Sequence, residues 1–300
     1  MKNAGPVNLC LMTIHAHPDD ESSKGAGSVS KASQEGIRTV LVTATGGEEG
    51  DILNPSLDHE KTKADIANIR AKELDLAAEI IGYDKVYRLG YRDSGMAGSE
   101  ANKNPECFAN APLDEAVGKL VEIIRLERPD VIITYGSDQQ GYPHPDHLKV
   151  HEISVPAFYA AADPSKYPEF GEAYTPKKLY YSVWRRARFE EMHKKFLELS
   201  LESPFDEKWL NRTESEVDTT TTSIDVSKFT HVRRDALLAH ATQIDPNSKF
   251  WFGLPPEVMD NIYPFDDYHL AIDLTKNTEE SLNSWESGNE LENDLFSGIR

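Results

Sequence analysis

Between Leu9 and Gly136 four strand-like runs, "LCLMTI", "RTVLVTAT", "DKVYRLG" and "DVIITYG", alternate with stretches long enough to be helices. That alternation limits the fold more than any other feature. Strands joined through helices of this length form right-handed parallel βαβ units. Near-continuous apolar strands belong in a sheet covered on both faces. The spacing predicts helices over Lys24–Glu35, closed by Gly36, and over His59–Ile81, ended by Gly82. Two more are expected over Leu113–Leu126, before Pro129, and from "GYPHPDH" to about Ala162.

The second half is less regular. "KKLYYSVW" reads as a strand, Arg186–Leu201 as an amphipathic helix and "SIDVS" as a short strand. Ser227 is placed to cap a helix ending near His240, and Pro255, Pro256 and Pro264 break the region beyond that helix. The expected fold class is α/β, a Rossmann-like, mostly parallel sheet flanked by helices. One domain over residues 1–276 would carry a less regular C-terminal portion across the site. Residues 277–300 hold six acids and one arginine with little apolar periodicity, and read as a solvated acidic tail.

In open sheets of this kind ligands bind beyond the carboxyl ends of the strands. Four polar loops, "HAHPDDE", "TGGEEGDILNP", "GYRDSGM" and "GSDQQGYPHPDH", each follow a predicted strand and would share one rim. Two of them carry the residue types of a metal site. His17, Asp19 and Asp20 form H-P-D-D, while His144 and His147 form H-P-D-H. Imidazole nitrogen and carboxylate oxygen suit Zn²⁺, and a catalytic zinc takes three protein ligands with one position open. Fe²⁺ and Co²⁺ accept the same atoms. Either motif alone is also a plausible capping loop, since Asp caps helices well. Their joint position at strand ends favours metal.

The remaining histidines are less pointed. His15 alternates away from His17 along the strand. His59, His151, His193 and His231 fall in predicted helices and read as surface or structural. His240, with Gln243 one turn on in "LLAHATQIDP", is either a helix-end cap or a site residue. Arg70 on the long helix and Asp93 in the third loop are either solvated charges or ligand contacts. "TGGEEG" lacks the Lys-Ser/Thr of a phosphate loop, and neither G-x-G-x-x-G after the first strand nor G-x-S-x-G occurs, so nucleotide binding and serine-nucleophile hydrolysis have little support.

Composition narrows the partners. A net charge of −19 repels nucleic acid and anionic lipid, so neither is expected as a partner. No apolar run approaches the ~20 residues of a membrane span, and the N-terminus lacks a signal peptide's pattern, so a cytoplasmic enzyme is expected. Cys10 and Cys107 lie too far apart in a long chain to suggest a disulfide framework.

The stretches "HAHPDDES" and "YPHPDH" together resemble the LmbE-like (PIG-L) superfamily of zinc-dependent N-deacetylases, and the likeness runs over most of Leu9–Leu274. The resemblance implies one zinc ion per chain, held by His17, Asp20 and His147. It implies Asp19 as general base, with His144 and Tyr142 stabilising the oxyanion or assisting the leaving group. It also implies Arg70 and Asp93 as contacts to a sugar–inositol portion. Lys24 and "IDPNSKFWF" resemble the branch that hydrolyses thiol–sugar conjugates rather than the branch that deacetylates the sugar amine. Lys24, His240 and Gln243 are accordingly expected at the substrate, a small-molecule thiol–sugar conjugate. Glu21 is expected to support a ligand.

Overall fold

The computed structural model describes residues 8–137, 142–205, 210, 218–276 and 291–300. In chain order the elements that bear on the site are β1 (Cys10–His15), α1 (Asp20–Ser23), α2 (Ala26–Gln34), β2 (Arg38–Thr45), α3 (His59–Ala64), α4 (Ile66–Ile81) and β3 (Lys85–Tyr91). They continue with α5 (Leu113–Glu127), β4 (Val131–Thr134), α6 (Pro145–Ala162), β5 (Lys178–Val183) and α7 (Arg186–Glu198). The last are β6 (Thr222–Asp225), α8 (Thr230–Ala239), α9 (Lys249–Phe252), α10 (Pro256–Ile262) and β7 (Phe265–Asp273).

The strands form one sheet in the order β3-β2-β1-β4-β5-β7-β6. From β3 to β5 all pairs are parallel, and β7 then pairs antiparallel with both β5 and β6. The expected α/β sheet with flanking helices is therefore observed. Its antiparallel edge includes β7, a strand absent from the expectation.

Alternation along β1 divides the core. Cys10, Met12 and Ile14 join Leu120, Ile124, Ile153 and Phe158 of α5 and α6 on one face. Leu9 and Leu11 join Val29, Ala77 and Ala236 of α2, α4 and α8 on the other. Burial on both faces explains why β1 and β4 read as unbroken apolar runs. Among the described residues no helix is long and apolar enough to cross a membrane.

Three boundaries differ from expectation. The helix expected from Lys24 begins only at Ala26, after the separate turn α1, because Gly25 adopts φ +103°, where a side chain would also meet the Tyr268 hydroxyl at 2.8 Å. The long second helix breaks at Asp65, whose φ of −127° separates α3 from α4. The last ten residues are no free tail. Leu295 and Phe296 are buried in the core, and the Glu292 carboxylate accepts from Lys178 Nζ and the Tyr180 hydroxyl. Residues 277–290 of the expected tail lie outside the described residues.

β1 sits between β2 and β4, and the chain leaves it in opposite directions. That is the topological switch point, where the diverging loops leave a crevice at the strand ends. The loops after β1 and β4 carry H-P-D-D and H-P-D-H.

Candidate metal centre and active site

β1 ends at His15, and the chain then turns sharply through Pro18. Asp19 adopts φ 110°, a conformation that costs a non-glycine residue of order 1–3 kcal/mol. The strained turn sends two neighbouring carboxylates to different places. Asp20 is 3% exposed, and its Oδ2 lies 3.5 Å from His17 Nδ1 and 3.3 Å from His147 Nε2. Asp19 keeps 29% of its side chain accessible and receives Arg70 Nη2 on Oδ2 at 3.0 Å.

His147 arrives from α6, whose start is well specified. Pro145 occupies the first turn, and His144 is the N-cap, its Nδ1 accepting from the Asp146 amide at 3.2 Å. Because Nδ1 accepts a proton, the hydrogen of a neutral His144 ring resides on Nε2. Burial and the nearby His17 lower the His144 pKa to about 4, so the ring is a neutral donor at pH 7.

His17, Asp20 and His147 each offer one ligand atom within 4.8 Å of the others. Ligands about 2.0–2.1 Å from a tetrahedral zinc stand roughly 3.3 Å apart. The 3.5 Å and 3.3 Å separations already match that spacing. Burial alone would lower the His17 pKa. Its hydrogen bonds to Asp146 and Asp20, and the charges of Asp20 and Asp93, instead raise it to about 10. The surroundings of His17 therefore favour a cation. The donor set fits zinc.

A second cluster, His17 with Asp93, His144 and Asp146, shares one histidine. Its groups are already engaged. Asp146 Oδ2 accepts from His17 Nε2 at 3.1 Å and from the Ser94 amide at 3.0 Å, while Oδ1 takes the Ser94 hydroxyl. Asp146 thus occupies the far nitrogen of His17, the usual partner of a metal-binding imidazole. Asp93 accepts from the Glu49 and Gly95 amides, with Oδ1 3.7 Å from His17 Nε2. Asp146, central to this arrangement, carries no expected role beyond its place in H-P-D-H.

The other expected residues divide. Lys24 is hydrogen-bonded to Asp20 Oδ1, leaving Oδ2 to face the histidines. Lys24 and His147 together outweigh desolvation and hold the Asp20 carboxyl well below the usual range. Arg70 is 2% exposed and bonds the Gly47 and Pro18 carbonyls as well as Asp19, so it anchors the turn from behind. Gly47, at φ +66°, is required there: a Cβ would stand 2.4 Å from the guanidinium. Tyr142 is 55% exposed, its ring 5.9 Å from that of His147 and its hydroxyl 3.8 Å from Met96 Sδ.

His240 and Gln243 lie deeper. His240 is fully buried, with Nε2 on Glu21 Oε1 at 2.6 Å. Glu21 Oε2 in turn accepts the Asp19 amide at 2.9 Å, so His240 is linked to the Asp19 turn through Glu21. Gln243 Nε2 donates to the Asp51 carbonyl at 3.1 Å and fastens the loop after β2. Both sit one layer behind the rim because the end of α8 packs directly on α1 and α4.

The chain also has relatives among known proteins. Residues 12–158 match the family described as PIG-L, GlcNAc-PI de-N-acetylase. The chain is similar to a mycothiol S-conjugate amidase from Streptomyces coelicolor, 45% identical over 97% of this chain and 98% of that one. It is also similar to a 1D-myo-inositol 2-acetamido-2-deoxy-alpha-D-glucopyranoside deacetylase from Streptomyces avermitilis, 35% identical over 96% and 97%. The fold resembles that of N,N'-diacetylchitobiose deacetylase from Pyrococcus horikoshii, with a TM-score of 0.58 at 16% identity, covering 87% of this chain and 83% of that one.

Proposed function

Because the chain belongs to the PIG-L, GlcNAc-PI de-N-acetylase family, hydrolases that act on amide bonds, we propose that it cleaves the amide of mycothiol S-conjugates. The products are an N-acetylcysteine S-conjugate and glucosaminyl-inositol, a reaction suited to thiol-dependent detoxification. The observation that carries this reading is the 45% identity to the amidase across nearly the whole chain, against 35% to the deacetylase.

Held by His17, Asp20 and His147, a zinc ion would polarise the amide carbonyl and bring the pKa of the attacking water from ~15.7 toward ~7. The protein's own residues supply the rest. Asp19 stands next to the ligand Asp20 yet outside the ligand set. Its Oδ2 is held by Arg70, which leaves Oδ1 to take the water's proton. The Asp19 backbone is fixed by Glu21, so the base does not swing with its loop. As oxygen bonds to the carbonyl carbon, charge develops on the carbonyl oxygen, where the His144 Nε2–H donates. Tyr142 lies beside both histidines and closes the outer side. When the C–N bond breaks, Asp19 returns its proton to the departing amine.

The test compares turnover of a mycothiol S-conjugate with that of the N-acetyl sugar. Hydrolysis of the conjugate at well above the rate for the acetyl group is expected. Efficient deacetylation with an untouched conjugate assigns the chain to the biosynthetic step instead. Turnover should vanish on chelation and return with zinc.

A further inference from the structure

Trp184, just past the end of β5, belongs to two environments. Its ring centre lies 6.0 Å from Lys24 Nζ, the ammonium bound to Asp20. The same indole packs against Phe189 at 5.7 Å, Phe250 at 6.0 Å and Trp251 at 5.8 Å. These rings border a cleft between α7, α8, α9 and α10. Met192, Leu237 and Ile262 complete its apolar wall. Trp184, Phe250 and Trp251 are only half-buried. An aromatic surface left open beside a catalytic centre is characteristic of a ligand pocket.

We infer that this cleft receives the S-substituent of the substrate, the apolar group carried on the cysteine sulfur. The inference rests on the amidase reading. In such a conjugate three single bonds separate the scissile carbonyl carbon from the sulfur, a reach of roughly 4 Å. With the carbonyl at His17, Asp20 and His147 and the cysteine turned toward Lys24, which bonds Asp20 and lies 6.0 Å from the Trp184 ring, the substituent would run onward along the indole. An acetyl group ends in a methyl and has nothing to place there. The cleft thus selects for conjugates over the N-acetyl sugar, and the residues after "IDPNS" matter because Phe250 and Trp251 build its wall.

The experiment uses the full-length, zinc-loaded protein and two conjugates of the same thiol sugar, S-methyl and S-benzyl. The parent enzyme should favour S-benzyl by about tenfold in kcat/KM, the order expected for filling an apolar pocket. Trp251→Ala removes part of the wall and Met192→Phe narrows the space. Each should cut that preference severalfold while S-methyl turnover, which also reports correct folding, stays within about twofold. A benzyl-to-methyl ratio unchanged in both variants overturns the inference. A separate arm titrates S-benzyl-N-acetylcysteine against tryptophan fluorescence. Saturable quenching that weakens in Trp251→Ala is expected, and no response in the parent protein overturns the inference. If neither conjugate is hydrolysed while the sugar is deacetylated, the amidase reading fails, and the titration alone then decides the cleft.

Discussion

Asp146 Oδ2 accepts from His17 Nε2 at 3.1 Å, tying the loop after β1 to the start of α6 across 129 residues of chain. The bond orients the imidazole so that Nδ1 faces Asp20. Asp146 is itself held by both the amide and the hydroxyl of Ser94. Partners of this kind set the tautomer and basicity of a ligand histidine. Asp146→Ala should therefore weaken zinc affinity by about 10–100-fold, measured by competition with a chromophoric chelator. Wild-type affinity in a folded variant would show that His17 orients itself.

The mechanism proposed for Asp19 gives it a different task from its neighbour, and substitution should separate them. Asp19→Asn preserves the side-chain size and an acceptor for Arg70, but removes the base. Zinc content should remain at the parent level, while kcat falls by about 10²–10⁴. Asp20→Asn, by contrast, should lose metal and activity together. Near-parental turnover in Asp19→Asn would remove this residue from proton transfer.

Glu21 and His240 form a fully buried pair behind the Asp19 turn. Burial opposes charging both groups, yet each shifts the other toward its charged form, Glu21 downward and His240 upward. Removing one partner strands the other. His240→Ala should cost about 3–5 kcal/mol of stability, read as a lowered denaturant midpoint. The double variant with Glu21→Gln should recover a large part of it. Equal losses in the single and double variants would show that the pair contributes only packing.

These relationships mark what the chain's sequence discloses and what it conceals. The clustering of His17, Asp20 and His147 was legible because the residue types of a metal site sit in short motifs and the parallel βαβ pattern brings strand ends together. Asp146 had the right residue type in the right motif, but its task depends on His17 across the sheet. His240 and Gln243 follow a helix pointed at the rim, which does not disclose that they lie under it. β7 was hidden by composition. Asp266 and Asp267 suggest a loop, yet both are buried and matched, Asp266 by Ser28 and Arg233 and Asp267 by Ser223 and Tyr263. Long-range pairing pays for charge that local pattern rules assign to solvent.

The same reasoning gives the acidic C-terminus a structural role. Lys178 is fully buried in β5, and its ammonium lies 3.0 Å and 3.3 Å from the two Glu292 oxygens. The next carboxylate, Asp273, is 4.0 Å away. Tyr180 donates to Glu292 at 2.9 Å, and Leu295 and Phe296 bury their side chains beside it. Glu292→Ala leaves a buried ammonium short of its main partner and should destabilise the protein by about 3–5 kcal/mol. Adding Lys178→Met removes the unpaired charge and should restore most of the loss. The pair joins β5 to the end of the chain, outside the ligand cluster, so kcat at low temperature should stay near parental while the melting temperature drops by several degrees. A melting temperature unchanged in Glu292→Ala would mean that this end of the chain only rests on the sheet.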